Sequence, residues 1–282
     1  MVAAAVKDRV GLGWRAELAA GIFVNLEQID VVEVIADNYF HASSKQMDAL
    51  KTLARQVPVL LHGVGLGLAS TAAVDRKRIE SMARLFDKVR PECWTEHLAF
   101  VRAGGIEIGH LAAPPRNENT LAGLGANLEL ARRITGHLPA MENIATLLDP
   151  PGSTMDEAQW VGRAIRESGC GLLLDLHNVH TNAINLKFDP FAYIDNMPLG
   201  RVSVLHIAGG RTMRGGRLLD DHLHETPDDV FALLRYVAAR TPQPLHVLLE
   251  RDGNYPEMSQ LIAELGRART ALREGRDDRS KI

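Results

Sequence analysis

Six apolar runs along this chain each end in side chains that can bind a metal ion. The run at 59–61 leads into His62, for example, and the run at 172–174 leads into Asp175. A charge at the end of a buried strand is unfavourable unless it is paired or coordinates a metal. The full set of terminal residues is His62, Glu96 with His97, Glu142, Asp175, His206 and Glu250. Helix-length segments separate them, which predicts one polar cluster built from the same ends of many strands.

The order of these elements predicts an α/β fold, a (β/α)8 TIM barrel, which carries its function at the carboxyl ends of its strands. Strands are predicted at 10–12, 31–35, 57–62, 93–97, 140–142, 172–175, 202–206 and 245–250. Helices are predicted at 17–23, 43–56, 73–89, 120–135, 154–168, 190–196, 227–240 and 256–272. We expect a single catalytic domain over 1–272 and a frayed, charged tail at 273–282.

Composition narrows the class of protein. The 282 residues match one barrel, and a hydrophobic fraction of 46% is enough for a large core. The net charge of -3 gives no reason to expect nucleic acid or an anionic membrane as a partner. No run approaches the roughly 20 apolar residues of a membrane span. Only Cys93 and Cys170 are present, without a disulfide framework, so we expect a cytoplasmic protein.

Two segments add further candidate ligands to the strand ends. After Asp175, we expect a loop, from which Asn178 and one or both of His177 and His180 reach the mouth of the barrel at the carboxyl ends of the strands. In extended conformation, Asp220, His222 and His224 would share one face, because side chains alternate along a strand. Together with His206 these residues would make a natural ligand set. The alternative for 219–225 is a solvated, charged turn.

A multinuclear metal site is the simplest explanation for so many convergent carboxylates, which would otherwise repel one another. Alternatives remain for single residues: His62 as a core histidine, or Glu142 and Glu250 as ion-pair partners of arginines such as Arg251. The ligands are nitrogen and oxygen atoms, which suit iron, manganese or zinc. Glu142 and Glu250 are candidates to bridge two ions.

Two glycine-rich loops follow predicted strands. The loop at 63–67 resembles a dinucleotide fingerprint only superficially, and its glycines would let the chain pass close to the mouth. The loop at 209–217 carries Arg211, Arg214 and Arg217, which could clamp a carboxylate or phosphate. The alternative is a solvated, flexible connection.

With these residues in view, the chain resembles the DUF692 family of multinuclear non-heme iron-dependent oxidases. The resemblance covers nearly the whole chain, in matching order. It rests on GLGWR (11–15), Glu33 with DNY (37–39), PVLLHGV (58–64), EHL (96–98), EN (142–143), Asp175 with Asn178, HIAG (206–209), DDHLH (220–224) and LER (249–251).

The resemblance implies a TIM barrel that uses iron and dioxygen to oxidise a residue, often cysteine, of a ribosomally made precursor peptide. Related oxidases act in methanobactin and 3-thiaglutamate biosynthesis, and a partner protein frequently presents the peptide. Two or three iron ions of mixed Fe(II)/Fe(III) valence are implied. The implied iron ligands are His62, His97, Glu142, Asp175, Asn178, His206, Asp220, His222 and Glu250.

The chain departs from the family pattern at Asp37, His177, His180 and Gly210, around the substrate side of the mouth. These departures leave the target residue open. The residues expected to contact substrate are Arg211, Arg214, Arg217, Asn38, His177 and His180.

Two other functions fit the same residues. One is a trinuclear zinc barrel that hydrolyses phosphodiesters with a metal-bound hydroxide. The other is a metal-containing protein that binds a peptide without turning it over.

Overall fold

A computed structural model describes residues 7–103 and 105–280 as a closed barrel of eight parallel strands. Each strand pairs with its neighbours in chain order, and the last pairs with the first. The strands are β1 (Arg9–Gly13), β2 (Val32–Ile35), β3 (Val59–Gly63), β4 (Trp94–His97), β5 (Ala140–Glu142), β6 (Gly171–Asp175), β7 (Val202–Ile207) and β8 (His246–Leu249). The predicted TIM barrel is therefore confirmed.

Nine α-helices in the described part of the chain connect and surround the strands. They are α1 (Ala19–Val24), α2 (Ser44–Ala54), α3 (Arg76–Val89), α4 (Glu118–Thr135), α5 (Glu157–Ser168), α6 (Leu176–Leu186), α7 (Pro190–Asp195), α8 (Asp228–Arg240) and α9 (Met258–Arg279). None of these helices has the length and apolar content that a membrane span requires.

An apolar layer fills the middle of the barrel. It contains Val31, Leu60, Ala140, Leu173, Val204 and Leu248, all at most 6% exposed. Six different strand segments each contribute one residue, as expected for the stacked interior layers of this fold. A larger apolar cluster packs the outer faces of the strands against the helices. The barrel interior is thus closed below any site at the carboxyl ends.

The segment after β6 differs from the prediction of a loop, because it forms helix α6. The Asp175 side chain accepts a hydrogen bond from the Asn178 backbone N–H and so caps the helix. Leu176, Val179 and Ala183 are buried at helical spacing. Asp175 therefore has two tasks, since one carboxylate oxygen caps the helix and the other remains available to the barrel mouth.

The charged C-terminal segment is also not frayed as far as the structure describes it. Helix α9 continues to Arg279, beyond the predicted end at residue 272, and residues 281–282 lie outside the described part. Arg276 donates to both carboxylate oxygens of Asp8 and to the main-chain oxygens of Thr241 and Gln243. These bonds attach the end of the helix to the barrel next to β1. The division of the chain at residue 272 stays a prediction.

Two antiparallel hairpins extend the connections after β4 and β7. One pairs Phe100–Ala103 with Ile106–Ala112, and the other pairs Arg211–Thr212 with Leu218–Leu219. Both follow the carboxyl end of a strand, so they rise on the side of the barrel where TIM barrels carry their sites.

We expect Arg276→Ala to lower the free energy of unfolding by about 1.5–3 kcal/mol, because it removes charge-assisted hydrogen bonds between α9 and the barrel. Chemical denaturation measures the change. Arg273→Ala is the matched control, since Arg273 is exposed on the same helix. Equal stability of the two variants would mean that the end of α9 contributes nothing to folding.

Candidate metal centre

A polar layer lies directly above the apolar layer in the barrel. Each of its members stands two residues after an apolar one, as His62 follows Leu60 and His206 follows Val204. Because side chains alternate along a strand, both members of each pair face the barrel axis. The polar layer consists of Glu33, His62, Thr95, Glu142, Asp175, His206 and Glu250, and every member is at most 5% exposed.

His206 is at the centre of this layer. Its Nε2 atom lies 3.1 Å from the Glu33 carboxylate, and its Nδ1 atom lies 3.0 Å from Glu250 Oε2 and 3.5 Å from Glu142 Oε1. The ring is fully buried. One imidazole is therefore surrounded by three carboxylates from three other strands.

A second group forms around the other carboxylate oxygen of Glu142. Glu142 Oε2 lies 3.4 Å from His97 Nε2 and 3.7 Å from His62 Nε2. The remaining ring nitrogens are held from behind, since His62 Nδ1 lies 2.7 Å from Thr95 Oγ1 and His97 Nδ1 lies 3.2 Å from the Gly63 carbonyl oxygen. Both rings are thus oriented with Nε2 towards the mouth, as second-sphere partners orient histidine ligands.

Asn143 locks the ends of β5 and β6 together beside this group. Its side chain donates to the Asp175 carbonyl oxygen and accepts from the Asp175 N–H. The main-chain carbonyl oxygen of Asn143 accepts a hydrogen bond from the side-chain amide of Asn178. The amide oxygen of Asn178 is consequently left pointing away from that bond, buried and without a hydrogen-bond partner among the described residues.

Other buried polar atoms also lack a hydrogen-bond partner among the described residues. Those around this site include Glu142 Oε2, Asp175 Oδ2, His206 Nδ1, Asp220 Oδ1 and His222 Nε2. Some lie close together without hydrogen-bond geometry, such as His206 Nδ1 and Glu250 Oε2 at 3.0 Å. Buried polar groups are normally satisfied, and lone pairs aimed at a shared space are the arrangement a cation requires.

The electrostatics of the site favour the binding of a cation. Burial, followed by the charges of Glu142 and Asp220, raises the pKa of Asp175 well above its usual value. Burial lowers the pKa of His62 to about 3, with His97 acting in the same direction. Burial would also lower the pKa of His97, but the Glu142 and Glu96 carboxylates outweigh it and raise that pKa to about 9. Among the carboxylates of the layer, Asp175 therefore receives the least stabilisation from nearby positive charge.

Three sets of ligand atoms are close enough to hold an ion, with all atoms of a set within 4.8 Å of one another. The sets are Glu33 with His62 and His206; His62 with His97 and Glu142; and Glu142 with Asp175, His206 and Glu250. They overlap at His62, Glu142 and His206. The residues can therefore hold metal, and the overlap at Glu142 is the arrangement that a carboxylate bridging two ions requires.

The outer part of the site comes from the loop before α8. His222 Nε2 lies 2.8 Å from Asp220 Oδ1, while His222 Nδ1 lies 3.1 Å from Asp252 Oδ2. Asp252 in turn accepts from the Arg15 guanidinium, at 2.9 Å from Nε. His222 adopts a left-handed φ of 54°, so the chain turns sharply where this ring enters the mouth.

The structure brings the predicted ligands together. Six of them belong to the three ligand-atom sets, and Asn178, Asp220 and His222 line the same cavity of about 240 Å³. Their role as ligands stays a prediction. His224 instead faces Asp221, with Nδ1 3.0 Å from its carboxylate.

Sequence reasoning missed Glu33 as a ligand, together with the supporting residues Asp252 and Arg15. Glu33 follows Val31 and Val32, but Val34 and Ile35 come after it, so it lies inside β2 and does not end an apolar run. The signal was a carboxylate two residues after Val31 in a β-branched strand, at the same inward position as the other members.

The residues predicted to contact substrate are scattered. His177 is buried beside the site, with Nε2 3.4 Å from Asp220 Oδ1. His180 lies instead in a separate groove between α6 and α8, and Asn38 is exposed in the turn after β2. A Cβ atom at Gly210 would lie 2.2 Å from the Leu219 carbonyl oxygen, so this position has no room for a side chain.

The three arginines belong to the second hairpin and are exposed. Arg217 donates to the Leu147 carbonyl oxygen at 2.9 Å, and Arg211 lies 3.4 Å from the Asp221 carboxylate. None of the three arginines lines the cavity of about 240 Å³ beside the candidate ligands, whereas Arg15 does. Substrate binding by these arginines stays a prediction.

Fold and site together define a TIM barrel with a buried histidine and carboxylate centre at the ends of its strands. A family model described as "RiPP precursor modification enzyme MbnB/TglH/ChrH" matches residues 9–273. The chain belongs to this family, and the resemblance drawn from its motifs is confirmed.

Relatives in several bacteria support the assignment. A UPF0276 protein of Streptomyces avermitilis is 38% identical over 269 residues, which are 93% of this chain but 54% of the relative. The UPF0276 protein BPP1075 of Bordetella parapertussis is 32% identical over 271 residues, which are 95% of this chain and 93% of the relative. The chain thus spans about half of the first protein and nearly all of the second.

Solved structures match at the level of the fold alone. Endonuclease IV from Thermus thermophilus has a TM-score of 0.60 at 16% identity, covering 94% of this chain and 99% of that one. The 3-keto-D-glucoside 4-epimerase YcjR from E. coli has a TM-score of 0.60 at 15% identity, covering 94% of this chain and all of that one.

We expect Glu142→Gln to reduce the metal content of anaerobically purified protein by at least one ion per chain. The substitution keeps the volume of the side chain but removes the charge shared by two ligand sets. Elemental analysis measures the ratio. Glu157→Gln is the matched control, because Glu157 is also a largely enclosed carboxylate but faces Arg116 and Tyr193. Unchanged stoichiometry in Glu142→Gln would argue against a bridging role.

We expect Asp252→Ala to weaken the binding of one ion by about 10- to 100-fold, the usual effect of losing the partner that orients a histidine ligand. Titration of metal-free protein with Fe(II) or Zn(II) measures the affinity. Asp48→Ala, which removes an exposed carboxylate from α2, controls for the change in net charge. If both variants bind metal equally, His222 does not depend on Asp252 for its orientation.

Proposed function

We propose that the protein is a multinuclear iron-dependent oxidase that uses dioxygen to modify a residue, often cysteine, of a ribosomally made precursor peptide. The observation that carries the proposal is the set of overlapping ligand groups, with unpartnered buried atoms, in a chain of the RiPP precursor modification family. The same proposal places the protein in the cytoplasm and gives it two or three iron ions.

The donor set fits iron in part because it contains only nitrogen and oxygen atoms. Cys93 packs against the apolar layer below the site, and Cys170 lies at the amino end of β6. Neither belongs to a ligand set. A borderline or hard ion with several oxygen ligands is therefore favoured over a thiolate-bound one. Glu33, Glu142, Asp175 and Glu250 supply the negative charge that neutralises more than one cation.

Each part of the mouth has a separate task in this proposal. Bound iron supplies the electron transfer with dioxygen that the oxidation requires. The buried layer of carboxylates and histidines holds the ions and excludes bulk water. Asp220 and His222, which are further candidate ligands, form the rim, where the substrate enters. Arg15, fixed by Asp252, keeps a positive charge beside the cavity and can attract an anionic group of the peptide.

Oxygen consumption and peptide mass together test the proposal. Protein prepared without oxygen is loaded with Fe(II) or, in parallel, with Zn(II). It is then mixed with synthetic peptides encoded by short reading frames beside its gene. We expect dioxygen uptake and a changed peptide mass with iron only. Glu142→Gln loaded with iron is expected to lose both signals.

Other outcomes select the alternatives. Zinc-dependent cleavage of a phosphodiester, without dioxygen uptake, would replace the oxidase by a hydrolase. Peptide binding with no change in mass under any metal would indicate a binding protein. This chain shares its fold with endonuclease IV, but that likeness concerns the fold alone and does not favour the hydrolase.

A further inference from the structure

A second cavity, of about 450 Å³, lies beside the cavity of the metal centre. The first hairpin, the loop after β5 and the second hairpin form its walls. Among the residues that line it are Phe100, Ala112, Leu148, Pro151, Leu218 and Leu219. Its size falls in the range of about 300–1,000 Å³ that is usual for ligand sites.

The two cavities share a wall. His110, Leu111, Ala145 and Asp220 line both of them. A peptide with one residue at the metal centre would therefore place a neighbouring side chain in the second cavity. Asp220 marks the boundary, because its carboxylate contacts His222 on the metal side.

The walls select an uncharged group. Apart from Asp220 and His110 at the shared boundary, the lining consists of aliphatic, aromatic, proline and threonine side chains. Thr146 is occupied, since its hydroxyl donates to the Leu148 carbonyl oxygen at 2.7 Å. Thr181 Oγ1 is buried without a hydrogen-bond partner among the described residues, so it presents no polar surface to the cavity.

The cavity is held open by hydrogen bonds outside its apolar surface. Asn185 of α6 both donates to and accepts from the main chain of Leu218, each at 2.9 Å. Arg217 donates to the Leu147 carbonyl oxygen and so ties the second hairpin to the loop after β5. The walls are thus preformed, which reduces the cost of ordering them when a ligand binds.

Apolar side chains are also exposed in this loop. Leu147 is 41% exposed and Leu148 is 60% exposed, although both line the cavity. A bound apolar group would remove part of their surface from water, which is favourable in proportion to the area covered.

We infer that this cavity binds an uncharged, apolar side chain of the peptide, next in sequence to the residue held at the metal centre. The inference rests on the proposed function, since it takes the occupant to be a precursor peptide. It makes the substrate class a peptide in which an aliphatic or aromatic residue flanks the modified one.

Binding of capped amino acids tests the inference without turnover. The full chain, methyl-labelled at leucine, is titrated with N-acetyl-phenylalaninamide and with N-acetyl-lysinamide, and NMR follows the methyl signals of Leu111, Leu147, Leu148, Leu218 and Leu219. We expect the phenylalanine amide to shift these signals with a Kd about tenfold lower than that of the lysine amide, since only its side chain gains by leaving water.

A matched pair of variants locates the binding. Leu147→Glu places a charge in the cavity wall and should raise the Kd of the phenylalanine amide about tenfold. Ile184→Glu makes the same change at a side chain that is 42% exposed in the groove between α6 and α8, and should leave that Kd unchanged.

Equal affinity for the two amides would overturn the inference, as would equal Kd values in the two variants. Because turnover is not measured, these results would leave the proposed oxidase untouched. Conversely, a protein that selects the apolar amide but modifies no peptide under any metal would contradict the proposed function alone.

Discussion

The confinement of several carboxylates in one buried layer is the constraint on which this structure depends. Glu33, Glu142, Asp175 and Glu250 face the axis of the barrel from four strands, with almost no access to water. The histidines between them offset part of this negative charge. Asp175 is stabilised least, because burial and the neighbouring carboxylates raise its pKa. Burial of like charges is tolerated only with cations nearby. The barrel therefore supplies a site whose negative charge a bound cation would neutralise.

Second-sphere residues hold this layer in position. Thr95 and the Gly63 carbonyl oxygen fix two of the histidine rings, and the Asn143 side chain ties the ends of β5 and β6 through bonds to the Asp175 main chain. Behind β8, Arg251 pairs with Glu264 at 2.8 Å, both buried, and so supports the strand that carries Glu250. The polar rim comes instead from the loop before α8, and the apolar cavity beside it comes from the two hairpins and the loop after β5. The barrel thus carries most of the candidate ligands, while the connections after the strands form the rim and the apolar cavity.

Several differences between the sequence interpretation and the structure have one physical origin, which is that short segments leave their partners undefined. The residue type of Asp175 fits the end of a strand and the cap of a helix equally well, and in the fold Asp175 has both positions. The sequence leaves the arginines at 211, 214 and 217 either as an anion clamp or as a solvated loop. The structure puts them on an exposed hairpin and directs Arg217 to the Leu147 carbonyl oxygen, while their binding of an anion stays a prediction. The charged end of α9 is predicted to be a tail because Asp8 and Thr241, the partners of Arg276, are far from it in the sequence.

The sequence by itself determined the barrel, the family and most of the polar layer. Its short apolar runs are separated by helix-length segments, so each strand end could be located. The alternation of side chains along a strand then indicated which residues face inward. Tertiary structure alone decided which atoms meet. The junction of three ligand sets at His62, Glu142 and His206, the place of Glu33 among them, and the apolar cavity behind Asp220 depend on the closure of the barrel and the paths of its hairpins. Those are distances between residues far apart in the chain, which local periodicity does not encode.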